Sequence, residues 1–379
     1  MKATQEQRER CAQQLEAQAE KVSSLKAFLG LDGFVDFIVH VVDKRQGPES
    51  YTRIQTIQQF AERIAAAAGR STNIELVQKM EKLGGNGPIM GNAMAAFGVQ
   101  VVYVGNLGWP ELHPVFREFA ERAEVHTIAG PGLTYAFEFN DGKLLFGLHQ
   151  TLREVTWENI CQRWSAEAFA EHFQTAHLVG FVNWTMLPYM SDVWEVVLRE
   201  ICPKLQGPKR MMFFDLADPE KRTREDIRRA LGLIEQFGQY FDVVLGLNEK
   251  EAYEIGKALD LELPPHTPEG IQQLGLQISQ QVKVNTLVIH PVSYALTISN
   301  GKATLVPGPY AKEPLITTGA GDHFNSGFCL GRLLGLDDEA CLFTAVSTSG
   351  YYVRTAKSPS VSDLVGILRD PAVSYEATV

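Results

Sequence analysis

The residues with the most chemical potential lie in one stretch, Thr317-Thr318-Gly319-Ala320-Gly321-Asp322-His323-Phe324-Asn325-Ser326-Gly327-Phe328. Three small residues let successive backbone N–H groups crowd together, and at a helix start the positive dipole end turns such a nest into an anion site. An Asp in the first turn is then placed to take a proton from an attacking hydroxyl, the part of a general base in phosphoryl transfer. A capped helix start, with Asp322 only opposing the dipole, would use the same residues. A second cluster, Leu83-Gly84-Gly85-Asn86-Gly87-Pro88-Ile89-Met90-Gly91-Asn92-Ala93-Met94, runs a glycine-rich turn into an alanine-rich helix. Such a turn permits close ligand approach, although a plain helix-opening turn also accounts for it. It is not a dinucleotide fingerprint, because Met90 stands where the third Gly of G-x-G-x-x-G belongs, and this disfavours a Rossmann oxidoreductase. No G-x-x-x-x-G-K-S/T phosphate loop occurs either.

These clusters need a scaffold. Phe28 to Val39 is an apolar run interrupted by Asp32, Gly33 and Asp36, and it reads as a strand whose end carries the carboxylates. Further strands are expected at Val99 to Gly105, His177 to Val182, Met211 to Asp215, Val243 to Leu247 and Thr286 to His290, with helical stretches between them. That alternation predicts right-handed βαβ units and a mostly parallel sheet covered on both faces, an α/β three-layer αβα sandwich. Residues 4 to 26, without Pro or Gly and with Leu15, Val22 and Leu25 spaced for one face, read as a surface helix. The first 27 residues thus form an N-terminal helix before a catalytic domain spanning 28 to 372. Thr134 to His149 alternate about Asn140-Asp141-Gly142-Lys143, a hairpin with Asp-Gly at its turn, and with residues 37 to 53 this hairpin is expected to make a small β lid.

Composition narrows the function class. The chain has 379 residues, 45% of them hydrophobic and 21% charged, as in folded globular proteins. A net charge of −10 argues against a nucleic-acid partner. Five scattered cysteines without a C-x-x-C pair suggest neither disulfides nor zinc, and no apolar run is long enough to span a membrane, so a cytoplasmic protein with a small-molecule ligand is expected. His40, His113, His126, His149, His172, His177 and His266 show no metal-ligand spacing and are read as structural. Asp215, Asp218 and Arg222 follow a strand, where phosphate contact and a capped turn both remain open.

Taken together, the motifs resemble the ribokinase or PfkB family of carbohydrate kinases. Thr317 to Phe328 looks like its C-terminal signature and Gly84-Gly85 like its N-terminal sugar-binding motif. Asn248-Glu249-Lys250-Glu251 looks like its N-x-x-E motif. The three occur in order across about residues 28 to 360. The resemblance implies a phosphotransferase that moves a phosphoryl group from ATP, with ADP as the alternative donor, to a hydroxyl of a sugar-like substrate, with Mg2+ as cofactor. It implies Asp322 as general base and the amides of Gly319, Ala320 and Gly321 as anion hole. Asp32, Asp36, Gly84, Gly85 and Asn86 would bind the sugar. Thr317, Thr318, Ser293 and Asn248 would bind the nucleotide, and Glu251 with Asn248 would hold the metal through water. Ile316, His323 and Ile89 depart from the family pattern. His290 and its neighbours look closer to a loop of the ADP-dependent sugar kinases, as does Gly30 to Asp36. A nucleoside kinase of the same fold and a catalytically silent sugar-binding protein are the alternatives. A lid with an unpaired edge predicts a homodimer.

Overall fold

The computed structural model describes residues 1–377. Its strands, in chain order, are β1 (Lys26–Leu31), β2 (Phe34–Arg45), β3 (Tyr51–Arg53), β4 (Leu76–Gly84), β5 (Gln100–Gly105), β6 (Glu124–Thr127) and β7 (Gly132–Phe139), then β8 (Gly142–Leu148), β9 (Leu178–Val182), β10 (Arg210–Asp215), β11 (Phe241–Asn248), β12 (Thr286–His290), β13 (Tyr294–Ser299) and β14 (Lys302–Pro307). Nine form one sheet in the order β14-β13-β12-β11-β10-β9-β1-β5-β6. From β12 to β6 every pairing is parallel, and only β13, paired antiparallel to both β12 and β14, runs the other way. Alternate side chains feed opposite faces, so that Phe28 joins one core while Ala27 and Leu29 join the other. Burial on both faces is why these strands read as continuous apolar runs.

The remaining strands make a separate sheet in the order β3-β2-β7-β8, with β4 also paired to β2. This lid is larger than the two expected segments. Strand β4 had no sequence signal, because eight of its nine residues, from Leu76 to Leu83, are exposed or half-buried and show no apolar alternation. The lid also has a small core of its own, in which Val39, Val41, Ile54, Phe137 and Phe139 pack on Phe60 of the Ile57–Ala66 helix.

Two sequence expectations need correction. The run from Phe28 to Val39 is two strands, not one: the chain leaves the main sheet at Leu31, turns at Asp32-Gly33, and enters the lid as β2. Asp32 therefore ends the first strand, and Asp36 belongs to the lid. The N-terminal helix stops at Gln18 and gives way to a 3-10 segment through Ser24. Its Cys11, Ala12 and Leu15 are buried in the same core as β1, and Arg369 of the last helix pairs with its Glu9 and Glu16. No helix among the described residues is long and apolar enough to cross a membrane.

Candidate active site

The C-terminal ends of β1, β9, β10 and β11 converge beneath the lid, where ligands of open parallel sheets are expected. Asp32 is the hub of this floor. It is fully buried, and its Oδ1 accepts the Gly87 N–H at 2.8 Å while Oδ2 accepts the Asn86 N–H at 2.9 Å and the Asn183 Nδ2 at 2.8 Å. The Tyr103 hydroxyl donates to the Asp32 carbonyl at 2.6 Å. Burial pushes the Asp32 carboxyl up to about 6, held back by those donors. Bound to these donors, Asp32 fixes the Gly85-Asn86 turn from behind. Gly85, at φ 96, caps the Asn86–Phe97 helix, and a Cβ there would stand 2.9 Å from Asp32 Oδ2.

Asn86 reaches from this turn to Asp322, donating Nδ2 to its Oδ1 at 2.9 Å. Asp322 lies in the first turn of the Ala320–Leu333 helix, whose N-cap Gly319 takes φ 91. Burial first of all, with the charges of Asp32 and Glu251 adding to it, pushes the Asp322 carboxyl up to about 8, and the Asn86 hydrogen bond opposes that rise. Ala320 is not a free member of the anion nest, since its N–H donates to the Thr317 carbonyl at 3.1 Å. Among the described residues the Gly319 and Gly321 amides have no such carbonyl partner. His323 secures the turn from behind. Nδ1 sits 2.8 Å from the Gly319 carbonyl, Nε2 sits 2.9 Å from Ser358 Oγ, and the ring stacks on Tyr352 at 3.6 Å. Burial lowers this imidazole to about 4, so it is neutral, with Nδ1 donating and Nε2 accepting.

Asp322 lines one cavity, and its neighbours Ala320 and Gly321 line a second. One, of about 400 Å3, is lined by Asp36, Lys82 and Thr134 of the lid and by Gly85, Asn86, Asn183, Glu251 and Asp322 of the floor. The other, of about 340 Å3, is largely apolar, with Tyr294, Pro309, Phe324, Val346 and Val353 on its walls and Thr317, Ala320 and Gly321 at its inner end. Asn248 lines both. Thr318 and Gly319 face the first cavity. Ser293 is buried and lies outside the lining of either one, its carbonyl accepting the Gly308 N–H at 2.9 Å. Gly84 also acts from behind: a Cβ there would meet the Asp36 carboxyl at 2.5 to 2.6 Å, so only glycine lets that side chain lie across β4.

Glu251 and Asp215 complete the buried acid group. Glu251 accepts the Asp218 N–H at 2.9 Å and the Asn248 N–H at 2.8 Å, while Asn248 Oδ1 accepts the Glu251 N–H at 2.9 Å in a capping box. Asp215 accepts Asn325 Nδ2 at 2.7 Å and the Ala217 N–H at 2.8 Å. Burial raises both carboxyls, and mutual repulsion within the group raises them further. Sequence reasoning left Asp215 open and missed Tyr103, Asn183 and Lys82. Asn183 carries one local mark, a left-handed φ of 57, but that is not visible in the sequence.

The family question is decided by the length of one match. The model of the prokaryotic ketohexokinase family matches residues 2–370. The chain belongs to that family. This places it among the sugar kinases, phosphotransferases with an alcohol group as acceptor. The ketohexokinase of Haloferax volcanii is similar at 27% identity over 351 residues, covering 92% of each chain. Solved structures share the fold. An Arabidopsis thaliana ribokinase complexed with ribose and ATP superposes with a TM-score of 0.64 at 14% identity, covering 91% of this chain and 98% of that one. The Escherichia coli phosphofructokinase-2 in complex with substrates and products gives 0.60 at 14%, over 91% and 98%. This ketohexokinase-family chain thus has a ribokinase-like fold, with a mostly parallel sheet between helices and a β lid.

Proposed function

We propose that the chain transfers the terminal phosphoryl group of ATP to a hydroxyl of a ketohexose-like sugar, with Asp322 as general base. The observation that carries this is the position of Asp322, which lines a polar, lid-covered cavity while the adjacent Ala320 and Gly321 line an apolar one. The sugar lies in the first cavity. Its hydroxyls donate to Asp36 and accept from the Lys82 ammonium, which lines the same wall and has no ion pair within 4.0 Å among the described residues. The purine lies in the second, with its phosphates running toward Gly319 and Gly321. Asp322 takes the proton from the attacking hydroxyl, the hydroxyl oxygen bonds to the γ-phosphorus, and ADP leaves with the electrons of the bridging bond.

The acid group fits Mg2+ bound through its water shell. Both oxygens of Glu251 are occupied by backbone N–H groups, leaving their outer lone pairs for water, and the mutual repulsion of Glu251, Asp215 and Asp322 would be relieved by a dication. When bound, the ion neutralises charge on the phosphates. Phosphoryl-transfer assays with fructose, ribose and nucleosides, each with ATP and with ADP, test the reading. Turnover of nucleosides alone would replace it with a nucleoside kinase, and no turnover of any acceptor would leave a silent binding protein. The homodimer belongs to the same proposal, since β8 is an edge strand on which Phe146 and Leu148 are exposed.

A further inference from the structure

At the opposite end of the main sheet, where its parallel strands begin, two histidines and a glutamate converge. Glu124 opens β6, His126 follows on the same strand, and His172 comes from the Ala166–Thr175 helix. Nε2 of His126 lies 2.8 Å from Glu124 Oε1, and Nε2 of His172 lies 3.9 Å from the same oxygen. A single His–Glu hydrogen bond explains the first contact but not why a second imidazole from another element turns its Nε2 to the same point. The rings are held in place: Trp164 stacks on His126 at 4.5 Å and on His172 at 5.7 Å, and Phe28 stacks on His172 at 6.0 Å. Beside them a cavity of about 480 Å3, lined among others by Glu121, Glu124, Glu171 and His172, leaves room for water.

We propose that Glu124, His126 and His172 form a site for a borderline divalent transition ion such as Zn2+, separate from the Mg2+ of phosphoryl transfer. The three donor atoms all lie within 4.8 Å of one another. Four-coordinate Zn2+ with bonds of about 2.0–2.1 Å keeps its donors about 3.3 Å apart, so the two observed contacts need to change by only roughly half an ångström each. Two imidazoles and one carboxylate suit Zn2+ or Co2+ and are a poor set for Mg2+, and water from the cavity would complete the tetrahedron. The ion would join the short edge strand β6 to the helix that covers the sheet. The sequence alone hides this, because the Glu124–His126 pair and His172 are forty-odd residues apart and form no local motif.

The test uses the full chain, stripped by dialysis against a chelator and titrated with Co2+ in buffer containing Mg2+. One equivalent should bind with the visible absorption bands of a four-coordinate ion, and Zn2+ should displace it. His172→Gln and His126→Gln should each weaken that equivalent at least tenfold, with Mg2+-dependent phosphoryl transfer unchanged. His172→Gln, at a half-buried position near the end of its helix, keeps the test decisive if His126→Gln fails to fold. Absence of the bands in the parent chain, or wild-type Co2+ binding by His172→Gln, would overturn the proposal.

Discussion

The two walls of the cavity beside Asp322 are built by different means. The floor is deep in the main sheet: Asp32 and Asp322 are buried, and backbone amides, Asn86 and Asn183 fix them. The lid is a thin sheet with a six-residue core, and it brings Asp36 and Lys82 to the cavity on strands whose outer faces meet solvent. Chemistry that needs a fixed geometry and a raised pKa sits in the floor, where the surrounding core supports desolvated carboxylates. On the proposed function, recognition would sit on this thinner wall, whose closure would exclude water once a sugar is held.

The largest expected effect tests the floor. Asp322→Asn should lower kcat at least about a hundredfold, since general-base assistance is worth 10²–10⁴ in rate, with little change in the KM for either substrate. The raised pKa fixes the sign of a second readout. A carboxyl whose folded pKa stands near 8 loses stability as pH rises through that value, because ionisation is opposed by burial. The Asn variant should therefore unfold at no lower temperature than the parent at pH 8.5. A near-normal kcat would remove Asp322 from the role of base.

The lid should respond in binding instead. Hydrogen bonds to charged groups are worth about 1.5–3 kcal/mol, so Asp36→Asn or Lys82→Met should raise the KM for the sugar about tenfold or more while leaving that for ATP alone. If either variant lost kcat and kept its sugar KM, the division of labour between floor and lid would be wrong. Hydrogen exchange sharpens the same point, since sugar should protect β2, β4, β7 and β8 more than the Gly85 and Gly319 turns. Leu148→Lys, at the exposed end of β8, should shift the proposed dimer toward monomer in light scattering, with the main sheet's melting unchanged.

The same contrast explains what the sequence disclosed. Gly319 to Asp322 and Gly84 to Asn86 are local motifs of adjacent residues, and Gly85, Asn86, Gly319 and Asp322 come together on one cavity. The parallel strands were legible, because their two buried faces leave unbroken apolar runs. Lys82 and Asn183 act only through contacts made in three dimensions, and β4 has no buried face to write an alternation. Asp32 and Asp36 were visible as a pair, but their different roles depend on a turn at Gly33 that sends one into the sheet and the other into the lid.

The smallest expected effect concerns the proton itself. In the free enzyme log kcat/KM should rise with unit slope on the acid side and level off near pH 8, where Asp322 ionises. Two neighbours pull on that limb in opposite directions. The Asn86 hydrogen bond favours the carboxylate, and the Glu251 charge opposes it. Asn86→Ala should therefore move the limb to higher pH, and Glu251→Gln should move it to lower pH. Glu251→Gln should also raise the Mg2+ concentration for half-maximal rate, a change that Asn86→Ala should lack. Limbs that moved together, or stayed fixed in both variants, would mean that the titrating group is not the carboxyl in contact with Asn86, and the base would have to be sought on the lid.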